Sequence, residues 1–146
     1  MTSIIITCPS CGTKNRIPAA KQHLSPKCGK CSKQLNPASQ AIPVELDDFD
    51  FQSFIEDSTL PVMVDFYSNT CGPCKAIAPL INHLAKEYHG KVIIAKLNTG
   101  DNPGTSMHYK IRGVPSLFFF KKGQVVDQIV GAPPEGQLRQ KLDSMY

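Results

Sequence analysis

The chain has 146 residues, 41% hydrophobic and 19% charged, with a formal net charge of +4. That length allows one ordinary domain, or one small domain and a very small one, with apolar residues enough for a core. No stretch approaches the ~18 apolar residues of a membrane span, and the start, MTSIIITCPSCG, lacks the length and charged flank of a secretory signal. A cytosolic protein is therefore expected, and in that compartment paired cysteines serve metal binding or redox chemistry more often than they serve as staples.

The first part of the chain is a basic head. Residues 1–44 carry six basic side chains and no acidic one, and the first aromatic is Phe49. A head of about 35 residues with few large aliphatics falls below the ~40 residues at which chains fold without metal, disulfides or a partner. Its cysteines form two pairs, CPSC (Cys8, Cys11) and CGKC (Cys28, Cys31), with sixteen residues between them. Two tight turns that each aim two sulfurs the same way make the tetrahedral, closed set that structural zinc requires. Gly12 and Gly29 suit backbone turning around sulfur, and His23, surplus to a complete sphere, is expected in solvent. Two disulfides or four free thiols are the other reading, disfavoured by the compartment. Four thiolates and one zinc ion reduce the head's charge from +6 to +4, and no aromatic offers a base a stacking surface. A solvated basic surface is expected rather than nucleic-acid binding.

NPASQAIP, Asn36 to Pro43, reads as a linker. The expected division is a zinc-binding head at 1–38, a linker at 39–43 and a second domain at 44–146. The second domain alternates strand and helix patterns: a short strand at VEL from Val44, a helix over Asp47 to Ser58, and a buried strand over Pro61 to Tyr67. A long helix follows Cys71, with Pro79 expected to kink it, and a second buried strand covers Lys91 to Asn98. A short helix near Ser106 to Ile111 precedes SLFFF and QVVDQIV, joined by KKG as a hairpin. A proline-opened helix closes the chain.

The third pair, CGPC at Cys71 and Cys74, stands alone between an apolar strand and a helix. A cysteine at a helix N-terminus faces unsatisfied N–H groups and the positive end of the dipole, which favour thiolate, the attacking species in disulfide exchange. Cys71 is expected to project toward solvent and attack, and Cys74, one turn inside, to resolve the mixed disulfide. Gly72 allows close approach of a substrate backbone, and Pro73 fits the first helical turn. Asp65 lies in the apolar run PVMVDFY. On a central strand it would be desolvated, with a raised pKa, and could take the Cys74 proton; a carboxylate at a strand end or facing water is the plainer alternative. Lys96, on the neighbouring strand, is either its partner or a snorkelling surface lysine.

VDFYSNTCGPCKAIAP and KLNTGDNPGTSMHYKIRGVPSLFFFKKGQVVDQIVGA resemble the thioredoxin family almost throughout residues 44–146. With its two-pair head, the whole chain looks like the bacterial thioredoxin 2 type. The resemblance implies an α/β thioredoxin fold, a mixed central sheet with helices on both faces, preceded by a small zinc-ribbon-like domain. It implies Cys71 as nucleophile, Cys74 as resolving thiol, Asp65 as buried acid and Lys96 as its partner. It also implies a cis proline at Pro115, a substrate groove including Gly113, Val114 and Gly131, and reduction by an NADPH-dependent thioredoxin reductase. The family's WAxWCGPC is YSNTCGPC here, and the chain has no tryptophan. Tyr67 keeps an aromatic under the site, whereas Thr70 offers substrates and reductase a small hydroxyl in place of a large apolar surface. The expected function is a cytosolic protein-disulfide reductase, active in thiol homeostasis and oxidative-stress defence, with structural zinc and no organic cofactor. A zinc-based redox sensor or binding module is the alternative.

Overall fold

The computed structural model describes residues 3–146. In the head, β1 (Ser3–Thr7) and β2 (Lys14–Pro18) form an antiparallel hairpin that the sequence pattern did not announce. Alternate residues Ile4, Ile6 and Ile17 pack with Cys8, Cys28 and Leu35 into a small core of the head's own, to which Ile42 adds.

The second domain follows the order β, α, β, α, β, α, β, β, α read from the periodicities. Its strands are β3 (Val44–Leu46), β4 (Val62–Tyr67), β5 (Ile93–Asn98), β6 (Ser116–Lys121) and β7 (Gln124–Val130). Its helices are α1 (Phe51–Asp57), α2 (Gly72–Glu87), α3 (Pro103–His108) and α4 (Glu135–Asp143). The sheet order is β3-β5-β4-β6-β7, with β3, β5 and β4 parallel and β6 and β7 antiparallel. This is the thioredoxin fold, with a mixed central sheet.

Period-2 alternation along β4 divides the core. Val62, Val64 and Phe66 face one layer with Phe51 and Ile55 of α1. Met63 faces the other, with Ile81 and Leu84 of α2 and Leu138 and Leu142 of α4. Asp65, an odd residue of β4, thereby lands on the α2 side of the sheet.

Two helix boundaries differ from expectation. α1 starts at Phe51 rather than Asp47 because the Asp47 carboxylate accepts the Phe49 and Asp50 N–H groups, both at 2.9 Å, and fixes a turn. α3 starts three residues early, with Pro103 in its first turn. The Asp48 carboxylate, distant in sequence, accepts from Gly104 at 3.0 Å and Thr105 at 2.7 Å. Those bonds, Thr105's first, pull the Asp48 pKa down.

The segment read as a linker is docked. Ala41 is buried, and its carbonyl accepts from Lys86 Nζ of α2 at 2.9 Å. Gln22 clamps the Ile42 backbone by donating to its carbonyl and accepting from its N–H. His23, expected in solvent, is half-buried, edge-on to Phe54 of α1. Burial first, then His89, lowers its pKa. The sequence around His23 is polar, so only the docked neighbour explains its desolvation.

Candidate functional site

Two sites emerge, one in each part of the chain. In the head, the four cysteines sit on two knuckles of the same build. Gly12 N–H bonds Cys8 O and Cys8 N–H bonds Thr13 O; Ser32 N–H bonds Cys28 O and Cys28 N–H bonds Lys33 O. The left-handed residue follows the second cysteine of each pair: Gly12 at φ +78° and Ser32 at φ +63°. Gly29, expected to serve a sharp turn, has no positive φ. Its N–H instead donates to Asn15 Oδ1 at 2.9 Å. Asn15 also bonds the Ile6 and Thr13 carbonyls, so one buried amide joins the hairpin to the second knuckle. Nothing in its flanking residues marked it.

The four sulfurs lie within 4.8 Å of one another. The Cys8–Cys31 and Cys11–Cys28 separations are both 3.6 Å, close to the ~3.8 Å edge of a tetrahedron with Zn–S bonds of about 2.3 Å. Backbone N–H groups, of Cys11 first at Cys8 and of Cys31 first at Cys28, favour thiolate. They draw the Cys28 pKa down to about 6. Although the Lys33 backbone lowers it, burial and the other three thiols push Cys31 up to about 11. Four sulfurs so crowded need a cation between them to be thiolate together. The donor set fits structural zinc.

The second site lies at the start of α2. Cys71 is its N-cap and Cys74 is in its first turn, and the two form a disulfide with Cα atoms 5.3 Å apart. Cys71 Sγ accepts from Cys74 N–H at 3.1 Å and lies 3.6 Å from the Val114 carbonyl oxygen. Cys71 is partly exposed and Cys74 buried, as their expected roles require. Pro73 occupies the first turn, while Thr70, Gly72 and Pro73 are exposed.

Opposite stands the loop before β6. Val114–Pro115 is a cis peptide, Ser116 Oγ donates to Gly113 O at 2.6 Å, and Gly131 N–H donates to Pro115 O at 2.7 Å. Gly131 has φ +95°, where a side chain would be strained. Gly113 has open space above it. Thus Gly113, Val114, Pro115 and Gly131 are brought together beside Cys71.

Behind the pair, a cleft of about 150 Å³ is lined by Asp65, Tyr67, Cys74, Lys75 and Lys96 among others. Asp65 is 4% exposed and its Oδ1 has no hydrogen-bond partner. Burial raises its pKa to about 7, Lys96 opposing and Glu45 adding. Lys96 is the cross-strand neighbour of Asp65, but its Nζ lies 3.9 Å from Glu45 Oε1 and 4.9 Å from the Tyr67 ring centre. Glu45 was read only as part of a short strand. The alternation VEL, with Glu between two buried residues, was the signal for a carboxylate on the α2 face.

Among the described residues, no helix is long and apolar enough to cross a membrane. The family described as Thioredoxin matches residues 42–144, and that described as Thioredoxin 2, N-terminal, matches residues 7–33. Thioredoxin C-3 of Corynebacterium nephridii is 40% identical over 140 residues, covering 96% of this chain and 94% of its own. Thioredoxin M-type, chloroplastic, of Spinacia oleracea is 39% identical over 137 residues, 90% of this chain and 76% of its own. Thioredoxin of Synechocystis is 44% identical over 99 residues, 68% of this chain and 92% of its own.

Proposed function

The chain belongs to the thioredoxin family, and from that premise we propose that it is a cytosolic protein-disulfide reductase, serving thiol homeostasis and oxidative-stress defence, that turns over through Cys71 and Cys74. The observation that carries this reading is Cys71 Sγ at the N-terminus of α2, receiving the Cys74 N–H and facing the Val114–Pro115 loop. There the reduced thiol is held toward thiolate by a backbone donor and the helix dipole. A substrate strand laid along Gly113, Val114 and Gly131, beside Thr70, Gly72 and Pro73, brings its disulfide to that sulfur.

The Cys71 thiolate attacks one substrate sulfur and expels the other as thiolate, forming a mixed disulfide. Asp65, as the carboxylate, accepts the Cys74 proton across the cleft and becomes a neutral acid, with Lys96 the neighbouring cation on β5. Cys74 then attacks Cys71 Sγ and releases the second substrate thiol, so two electrons pass to substrate and the Cys71–Cys74 disulfide remains. An NADPH-dependent thioredoxin reductase restores the dithiol. Insulin reduction tests the reading: the protein should accelerate it above the rate with dithiothreitol alone, and should couple to NADPH through the reductase. The small Thr70 surface should appear as a raised KM for the reductase, because docking hot spots favour large aromatics. No acceleration with either electron source would end the proposal.

Cys8, Cys11, Cys28 and Cys31 hold one zinc ion in this reading. Bound there, zinc crosslinks the two knuckles and supplies on the order of 10 kcal/mol to a head with a core of a few residues. The head docks at Lys86, roughly 20 Å along α2 from Cys71, as suits a stabilising module. Metal analysis should find one zinc per chain in both the wild type and the Cys71→Ser/Cys74→Ser variant, and none in Cys8→Ser/Cys28→Ser. Zinc lost from the first variant would reassign the ligands.

A further inference from the structure

Glu45, Lys96 and Asp65 form one row across three parallel strands on the α2 face of the sheet, Glu45 paired with Lys96 and Lys96 with Asp65. Lys96 thus has a carboxylate on either side. Its Nζ is turned to Glu45 Oε1 at 3.9 Å and to the face of Tyr67. The Tyr67 hydroxyl donates to that same Glu45 oxygen at 2.9 Å and fixes it. On the other side, Asp65 Oδ1 is buried without a partner. The hydroxyl exists because this chain has tyrosine where the family pattern has tryptophan.

We propose that Glu45 and Tyr67 are positioning residues that hold the Lys96 ammonium off Asp65, and so preserve the proton affinity of that carboxyl. An ammonium seated on a buried carboxyl, within about 4–6 Å, lowers its pKa by about 1–3 units. Asp65 would then be ionised well below neutral pH and would be a weaker base toward Cys74. Glu45 offers the ammonium a half-exposed carboxylate instead, and the Tyr67 ring covers it by a cation–π contact. The groups that face Asp65 are Lys96 from β5, Glu45 from β3, Cys74 and Lys75 from α2, and Tyr67 on its own strand. Its β6 neighbour, Leu117, is apolar. Asp101 acts on Glu45 and Tyr67. That burial and Glu45 raise Asp65 while Lys96 lowers it agrees with this arrangement.

The proposal rests on Asp65 being the base for Cys74, and the test separates the two. Carboxyl carbon NMR of the oxidised full-length protein reads the Asp65 titration directly, in wild type, Glu45→Gln, Lys96→Met and the double variant. Glu45→Gln should lower the midpoint by about one unit or more, as Lys96 turns to Asp65. Lys96→Met should then raise it by about one unit more in the Glu45→Gln background than in the wild type. That non-additivity is the signature of a lysine choosing between two carboxylates. Tyr67→Phe, which changes no charge, should lower the midpoint in the same direction. An unmoved midpoint in Glu45→Gln, or additive effects in the double variant, would overturn the proposal. In parallel, the pH dependence of mixed-disulfide resolution is followed in wild type, Glu45→Gln and Asp65→Asn. Its acid limb should move down in Glu45→Gln and disappear in Asp65→Asn. A limb that persists in Asp65→Asn would remove Asp65 as the base, while the titrations would still decide where Lys96 sits.

Discussion

Replacing Cys71 by serine is expected to lower disulfide reduction by roughly 10³-fold or more, to the uncatalysed background, because no other thiol in the second domain can begin the exchange. Serine keeps the N-cap acceptor at the start of α2, so the fold is retained and the loss is chemical. Cys74→Ser should behave differently. Cys71 stays at the helix N-terminus, partly exposed and beside the Val114 carbonyl, and still attacks. With no resolving thiol, the reaction stops after one turnover at a mixed disulfide. Mass spectrometry should find the chain joined to its substrate through Cys71, and added dithiothreitol should release it. Sustained turnover by Cys74→Ser without an external thiol would refute the two-thiol mechanism.

The placement of the cysteine pairs was legible in the sequence because it is local: Cys71 and Cys74 open α2, and the other four gather on two knuckles. A Cys-x-x-Cys that opens an amphipathic helix faces N–H groups whatever the rest of the fold does. Two pairs on matching turns bring four sulfurs together for the same local reason. The order of strands and helices from Val44 onward was readable too, since β4 and β5 are buried apolar runs and α2 shows one apolar stripe. What escaped depended on residues far apart in the chain. Asp48 caps α3 across more than fifty residues, which moved that helix. Asn15 ties the hairpin to Gly29, and Gln22 clamps Ile42, so a composition typical of linkers proved to be packed. Ser32 takes the left-handed position that glycine takes in the first knuckle, and residue type alone misdirected that reading to Gly29. Glu45 was hidden for the same reason. Its importance comes from register with Lys96 and from a hydroxyl on Tyr67 two strands away.

Asp65→Asn should stabilise the oxidised protein, by an amount that grows with pH. Burial, against the opposing charge of Lys96 and with help from Glu45, lifts the folded-state pKa of Asp65 to about 7, against about 3.9 in an unfolded chain. Between those values the folded state binds a proton that the unfolded state has released, so the wild type loses stability as pH rises through this window. Above pH 7 the loss is complete and roughly constant; below pH 4 both states are protonated and the group contributes nothing. Asparagine keeps the shape and removes the titration. Its advantage should be near zero at pH 4 and reach on the order of 2–4 kcal/mol at pH 8, from about 1.4 kcal/mol per pKa unit. For a chain of this size that is a rise of about 10 °C in Tm at the higher pH. Calorimetry of both oxidised proteins from pH 4 to pH 8 reads the difference. A constant gap across that range would mean that Asp65 is ionised in the folded protein throughout, and a wild type more stable than the variant at pH 8 would reverse the sign. Either result would place the carboxyl in water or in an ion pair, and would take from Cys74 its nearest buried base.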